Sequence, residues 1–283
     1  MPKQPVRDTR PKGSVEGRRP VIALWGHAAG YILKVLAISD MDVRKLRHDP
    51  TELFTRAIQP MLWLLVFGQV FARTHAIPTG SISYIAFLAP GILAQSVLFI
   101  AIFNGISVIW ERDLGIVHKF LASPTPRTAL VLGKALSSGL RAVTQAAIIY
   151  LVALALGVRI LWAPWALVGV VLLVFLGAAL FSTFSLIIAC IVKTRERFMG
   201  IGQVLTMPLF FASNAIYPMS IMPGWLQGVS YLNPLSYTVD GLRALMLADG
   251  ESGFGLAVDF SVLALTLAVL VLIGGRMYPR LAT

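Results

Sequence analysis

Long apolar blocks separated by short polar or proline-containing stretches dominate the chain from residue 56 onward. A helix that crosses a bilayer needs about 20 predominantly apolar residues, and each block approaches that length. The pattern therefore predicts an all-α integral membrane protein with six transmembrane helices. The predicted spans are residues 56–72, 83–109, 136–157, 164–191, 200–219 and 256–275.

Prolines in three of these predicted spans bear on the shape of the helices. Pro60 is predicted to lie in the first turns of the first span, where a missing backbone N–H costs least. Pro90 and Pro208 are predicted to kink the second and fifth spans, with neighbouring helices satisfying the freed carbonyls.

The chain before the first predicted span is polar in residues 1–20 and amphipathic in residues 21–50. Residues 1–20 are rich in proline, glycine and charge and predict a disordered cytoplasmic tail. Residues 21–50 are predicted to hold an amphipathic helix on the inner membrane surface. The alternative is a seventh span over residues 21–39, which would place the basic residues that follow outside, against the positive-inside tendency. Residues 51–283 then form the six-span domain.

The connection between the fifth and sixth spans, residues 217–255, is too apolar and aromatic for a solvated loop. Pro218, Pro223 and Pro234 interrupt it, so it predicts short re-entrant helices on the outer side, covered by protein. The aromatic residues in this segment that could form an outer gate are Trp225, Tyr231 and Tyr237.

Charge orients the predicted spans. Hydrophobic residues make up 57% of the chain and charged residues 13%, against about 25% charged in a soluble domain. Every lysine and arginine except Arg73, Arg159 and Arg243 falls on one predicted side. This bias predicts that both termini are cytoplasmic. It also explains the net charge of +11 without a nucleic-acid partner.

The segment after the second span, ERDLGIVHKFLASPTPR at residues 111–127, has the pattern of a short amphipathic helix. Glu111 and Asp113 are predicted to open it, because acidic residues favour a helix N-terminus. Pro124 and Pro126 are predicted to end it. Such a helix between two spans could press into a groove of a soluble partner. The alternative is a solvated connecting loop.

Three segments resemble the permease subunits of type-2 ATP-binding-cassette exporters, which include bacterial drug, lipid and polysaccharide exporters. They are RHDPTELFTRAIQPMLWLLVFGQVF at 47–71, ERDLGIVHKFLASPTPRTALVLGK at 111–134 and NAIYPMSIMPGWLQGVSYLNPLSYTVDGLRALM at 214–246. Their order and separation also match, and the likeness covers most of residues 40–275.

The resemblance implies a non-catalytic transport subunit in a bacterial inner membrane. Two copies would pair as a homodimer among membrane lipids, and two separate nucleotide-binding subunits would bind ATP and magnesium. The chain itself has no G-x-x-x-x-G-K-[ST] phosphate loop. In the family the helix after span two contacts the ATPase, and the residues that would do so here are Glu111, Arg112, Asp113, Leu114, Val117, His118 and Leu121.

Polar residues inside the spans are candidates for the transport pathway. Arg141 lies near the inner end of span three, and its alternative role is snorkelling to the interface. Gln203 and Asn214 lie eleven residues apart in predicted span five, and their alternative role is hydrogen bonding between helices. The apolar outer segment suggests an amphipathic, lipid-linked or glycan substrate.

Two other classes of protein remain as alternatives. An ion-coupled secondary transporter usually places carboxylates at mid-membrane, whereas Asp259 is predicted near an outer end. A membrane-bound transferase needs clustered carboxylates, often with a metal. The four histidines are dispersed, and the acidic pairs have no companion set, so we predict no metal site and no catalytic residues.

Overall fold

The structure, a computed structural model, describes residues 33–36, 40, 51–74, 77–80, 82–122, 125–192 and 194–282. These residues are almost entirely helical, and no β-strand forms among them; a β-bridge between Ile160 and Leu247 is isolated. The predicted all-α class is confirmed. Most of the predicted N-terminal tail and interface helix lies outside the described residues, although residues 33–36 are helical.

The described helices follow one another with short connections. They are α1 (Thr51–Leu62), a π-helical turn (Trp63–Phe67), α2 (Gly68–Thr74), α3 (Tyr84–Asp113), α4 (Ile116–Ala122), α5 (Arg127–Ala155), α6 (Pro164–Ile191), α7 (Arg195–Phe211), α8 (Gly224–Leu232), α9 (Pro234–Met246) and α10 (Leu256–Met277). Short 3₁₀ turns occupy Met219–Ile221 and Tyr278–Ala282.

Four helical segments in the described ranges are long and apolar enough to cross a membrane. They are α3, α5, α6 and the stretch Leu256–Leu281, which continues α10. Helix α6 has the bounds that the sequence predicts, because Pro164 suits the first helical position, where no N–H partner is needed. The count of six spans stays a prediction.

The first predicted span differs from the structure in where its proline lies. The helix begins at Thr51, so Pro60 falls inside α1 and not in its first turns. A π-helical turn follows, and the N–H of Gly68 donates to the carbonyl of Trp63, five residues earlier. Wide turns of this kind are often found at functional sites.

The fifth predicted span, residues 200–219, is wrong at both ends. Helix α7 begins at Arg195, where the Thr194 hydroxyl caps it by accepting from the N–H of Arg197 at 3.4 Å. It ends at Phe211, soon after Pro208, and the chain turns as Ser213 N–H donates to the Phe210 carbonyl. Asn214 therefore lies beyond the helix.

The connection between α7 and α10 forms two short helices, and prolines set their starts. Pro223 immediately precedes α8, and Pro234 is the first residue of α9. The side chain of Asn233 accepts from the N–H of Leu235 at 3.0 Å, which caps α9. Short helices in this segment agree with the proline pattern.

Helix α3 lies at the centre of the bundle and packs against α5, α6, α7 and α9. Small residues let its neighbours approach closely, as is common where membrane helices meet. A Cβ on Gly91 would collide with the backbone carbonyl of Ala215, and one on Gly105 would collide with Ser185. An apolar cluster near the C-terminal end of α3 includes Val108 of this helix together with Phe198 and Tyr278.

Candidate functional site

A cavity of about 720 Å³ opens between α1, α3, α5 and α7. Its lining combines amide, hydroxyl and charged side chains with aromatic and aliphatic ones. The polar lining residues are Gln59, Gln95, Ser96, Asn104, Ser107, Glu111, Arg141, Gln145 and Gln203, and the apolar ones include Phe99, Ile100, Phe103, Ile106, Trp110, Leu114 and Ile116.

One face of α3 supplies much of this lining. Gln95, Phe99 and Phe103 recur at a spacing of four residues, which places them on one side of a helix. The rings of Phe99 and Phe103 stack with centroids 6.0 Å apart. The face therefore changes along the helix from an amide to an aromatic surface, which suits a ligand with a polar and an apolar part.

The structure places two of the three predicted pathway residues at the cavity and one elsewhere. Arg141 and Gln203 both line the cavity. Asn214 does not, because it lies in the turn after α7, where its backbone carbonyl accepts from Arg243 Nη2 at 2.9 Å. Sequence reasoning missed Gln95 as a cavity-lining residue, and an isolated amide inside a strongly apolar block is the signal that could have found it.

Glu111 is placed differently from the sequence prediction. It belongs to the last turn of α3 and does not open the short helix, because the N–H of Leu114 still donates to the Trp110 carbonyl at 3.0 Å. Its carboxylate is buried and lies 2.6 Å from the ammonium group of Lys134 on α5. Asp113 is the last residue of the same helix.

Asp113 joins α3 to the start of α7. Its carboxylate accepts from Arg195 at 2.6 Å and from Arg112 at 3.0 Å. The guanidinium of Arg195 also lies over the Trp110 ring, 3.6 Å from its centroid. Arg195 therefore makes both a cation–π contact and a charge-assisted hydrogen bond with α3.

The short helix α4 begins after Gly115, whose φ of +70° is readily adopted only by glycine. Val117 is buried and Leu121 is half-buried, so they anchor α4 to the bundle. His118 and Lys119 are exposed. Among the predicted coupling residues, Asp113, Leu114 and His118 are exposed, whereas Glu111 and Val117 are buried.

At the other end of the bundle, two of the three predicted gate residues come together around Phe254, which the sequence prediction did not include. The Tyr237 ring lies 4.7 Å from that of Phe254, and the Tyr231 ring lies 5.8 Å from it. The Tyr237 hydroxyl donates to the Tyr231 carbonyl at 2.8 Å. Trp225 is 73% exposed on α8.

Arg243, on α9, is buried. Its guanidinium lies 3.9 Å from the centroid of the Phe87 ring and donates to the Asn214 carbonyl. Burial lowers the pKa of Arg243 to about 10, and the nearby Asp240 carboxylate acts in the opposite direction. The guanidinium therefore stays charged near neutral pH and ties α9 to α3.

The family profile described as ABC-2 type transporter matches residues 34–247, about three quarters of the chain. The chain belongs to the ABC-2 type transporter family. It is therefore a membrane permease subunit of an ABC transporter, and such permeases work with an ATP-binding subunit. Family membership favours the transport-subunit hypothesis over the ion-coupled transporter and the membrane transferase.

Curated relatives carry permease names. The putative transport permease ycf38 of Cyanophora paradoxa is 30% identical over 71% of this chain and 70% of its own length. The daunorubicin resistance ABC transporter permease protein DrrB1 of Streptomyces coeruleorubidus is 28% identical over 74% of this chain and 72% of its own. The inner membrane transport permease YadH of Escherichia coli K12 is 25% identical over 77% of this chain and 84% of its own.

Proposed function

We propose that this permease exports an amphipathic, lipid-linked or glycan-bearing molecule from the cytoplasm or the inner leaflet. Two copies of the chain form a homodimer, and the substrate moves between them by alternating access. ATP and magnesium bind to two separate nucleotide-binding subunits on the cytoplasmic side. In this proposal both termini are cytoplasmic and the membrane is a bacterial inner membrane.

The observation that carries this proposal is the continuity between the cavity wall and α4. Leu114 and Ile116, on either side of Gly115, line the cavity, and Ile116 is also the first residue of α4. A displacement of α4 by a docked subunit would therefore move the cavity wall directly. Val117 would hold α4 against the bundle while His118 and Lys119 contact the partner.

The ion pairs near α4 support the transmission of such a movement. The Glu111–Lys134 pair couples α3 to α5, and the Asp113–Arg195 pair couples α3 to α7. All three helices line the cavity. A shift of α4 would thus reach three of the cavity walls through short, charged contacts, and networks of packed side chains and ion pairs can carry coupling between sites.

Exposed apolar side chains beside the cavity mouth support pairing with a second copy. They lie on α1, on the π-helical turn and on α7: Ile58, Leu62, Val66, Phe67, Val204 and Phe211. Gln59 and Gln203, at the mouth, are also exposed. A second copy placed against this face would close the cavity into a shared passage.

The test is a charge reversal on α4 with a matched control at the other end of the bundle. Lys119→Glu should weaken docking of the ATPase subunit and lower substrate-stimulated ATP hydrolysis at least several-fold in proteoliposomes. Arg159→Glu should leave both unchanged, because Arg159 follows α5, whose 29 residues span about 43 Å.

Two outcomes would count against the proposal. One is equal activity of the two variants, which would remove α4 from the docking surface. The other is transport by the folded, purified chain driven by a proton or sodium gradient with no ATPase subunit present. That result would restore the ion-coupled alternative.

A further inference from the structure

Gln95 and Gln145 line the cavity and are 2% and 1% exposed. Gln95 Oε1 and both amide atoms of Gln145 have no hydrogen-bond partner among the residues that the structure describes. A buried amide without partners is costly. Such groups in a native protein require an explanation, and a ligand in the cavity is one.

Two other polar side chains of the same wall, Ser96 and Asn104, have hydrogen-bond partners within the protein. The Ser96 hydroxyl donates to the Ile92 carbonyl at 2.8 Å, and Asn104 Nδ2 donates to Ser182 Oγ at 3.3 Å. These groups stabilise the helices and need nothing from the cavity. The two glutamines therefore differ from Ser96 and Asn104.

A second copy of the chain would not reach the two glutamines. Gln59 and Gln203 are exposed at the cavity mouth, whereas Gln95 and Gln145 are buried on its inner wall. A chain docked at the mouth would contact the former pair. Gln95 and Gln145 would instead be available to a molecule that enters the cavity.

The charges of the lining disfavour a cationic ligand. The Glu111 carboxylate is already neutralised by Lys134 at 2.6 Å. A cationic head group would thus have to compete with Lys134 for this carboxylate, whereas an uncharged head group can donate to and accept from the glutamine amides.

We propose that Gln95 and Gln145 bind the uncharged head group of a hydroxyl- or amide-bearing amphiphile. The head group donates to the glutamine carbonyl oxygens and accepts from Gln145 Nε2, and the apolar chain lies along Phe99 and Phe103. This inference rests on the proposed transport function, because it names the ligand chemistry of the same cavity.

The test is equilibrium binding to the full chain in nanodiscs, without an ATPase subunit, using three radiolabelled probes. They are decyl β-glucoside, methyl β-glucoside and decyltrimethylammonium. Decyl β-glucoside should bind saturably, and decyltrimethylammonium should bind at least tenfold more weakly. Gln95→Leu and Gln145→Leu should each weaken decyl β-glucoside binding about tenfold, the loss expected for about one well-placed hydrogen bond.

Ser96→Ala is the matched control, because it removes a polar group from the same wall whose hydrogen bond is internal. It should bind decyl β-glucoside as the wild type does. Gln145→Glu, similar in size to glutamine, should gain affinity for decyltrimethylammonium. Binding of decyl β-glucoside without binding of methyl β-glucoside is expected, because the apolar chain contributes to binding. Binding of methyl β-glucoside alone would contradict the proposal, because the ligand would then be a soluble molecule and not an amphiphile.

The proposal is overturned if both leucine variants bind decyl β-glucoside as tightly as Ser96→Ala does. It is also overturned if the wild type binds decyltrimethylammonium as tightly as decyl β-glucoside, and this comparison decides the matter even if the leucine variants do not fold. Failure of an ATPase subunit to dock on α4 would not alter these results, so the two proposals fail separately.

Discussion

The ammonium nitrogen of Lys134 lies 2.6 Å from a carboxylate oxygen of Glu111, and each side chain is 4% exposed. The pair joins the last turn of α3 to the first turns of α5 inside the protein. A buried ion pair adds little stability compared with apolar residues, but removal of one partner leaves an uncompensated buried charge. Its main effect here is to fix how two cavity-lining helices meet.

Lys134→Met should therefore lower the free energy of unfolding by about 3 kcal/mol, because the Glu111 charge is left buried. The double variant Glu111→Leu/Lys134→Met should recover most of that loss. Thermal or denaturant unfolding of the purified protein in detergent measures both. Arg127→Met is the control, since Arg127 is an exposed cation at the start of the same helix. If Lys134→Met unfolds no more readily than this control, the pair is not the contact that joins α3 to α5.

The same pair shows what the sequence could not predict. The run from Glu111 to Asp113 reads as the polar start of a surface helix, since three charged residues follow an apolar block. The helix continues through them because Lys134, 23 residues later, supplies a buried partner for Glu111. Pairing over that separation depends on how α3 and α5 pack, which no local pattern records.

Helix ends were predictable where a capping or proline signal coincides with the end of an apolar block. Pro164 sets the start of α6 in this way. The end of α7 was not predictable, because the sequence stays apolar after Phe211 while the backbone turns. Likewise, an amide such as Gln95 is visible in the sequence, but its lack of a partner among the described residues becomes evident only when its neighbours are placed.

Gly91 lies where α3 passes the chain that follows α7. A Cβ at this position would collide with the carbonyl of Ala215. Gly91→Ala should therefore destabilise the protein by about 1–3 kcal/mol, the usual cost of overpacking. Gly228→Ala on α8 is the control, because a Cβ there would meet nothing within 4 Å in the part of the chain that the structure describes. The control should be neutral or stabilising by up to about 1 kcal/mol. Equal melting temperatures for the two variants would show that the backbones do not approach this closely.

Arg243 and Arg159 are arginines of the predicted outer side with opposite environments. Arg243 is buried over the Phe87 ring, whereas the Arg159 side chain is 79% exposed in its ion pair with Asp249. Arg243→Met should leave the Asn214 carbonyl without its donor and should loosen α9. We expect faster proteolytic cleavage of residues 214–255 from the outer side.

Arg159→Met should leave that cleavage rate unchanged, because an exposed ion pair contributes little. Arg243→Lys separates charge from shape: lysine keeps the positive charge but loses the planar stacking on Phe87. An intermediate rate for this variant is expected. A wild-type rate for Arg243→Met would show that the guanidinium does not hold the outer helices together.

The Ser252 hydroxyl lies between two buried carboxylates, 2.8 Å from Asp240 Oδ2 and 3.1 Å from Asp259 Oδ2. A hydroxyl has one hydrogen and can donate to only one of them. Asp240 also accepts from the N–H of Phe254 at 3.0 Å, so it is the better-supplied carboxylate. Within the described ranges, the Asp259 carboxylate has fewer hydrogen-bond donors than the Asp240 carboxylate.

Asp259→Asn should therefore be tolerated or stabilising, because an amide can donate to Ser252 and removes one of two neighbouring negative charges. Asp240→Asn should cost about 1–2 kcal/mol, because it weakens two hydrogen bonds to a charged acceptor. Thermal unfolding in detergent distinguishes the two isosteric changes, and Asp249→Asn, in the exposed pair with Arg159, provides the baseline. The reverse order of stability would mean that the Ser252 proton serves Asp259, and that Asp240 is held by the Phe254 amide and the Arg243 charge instead.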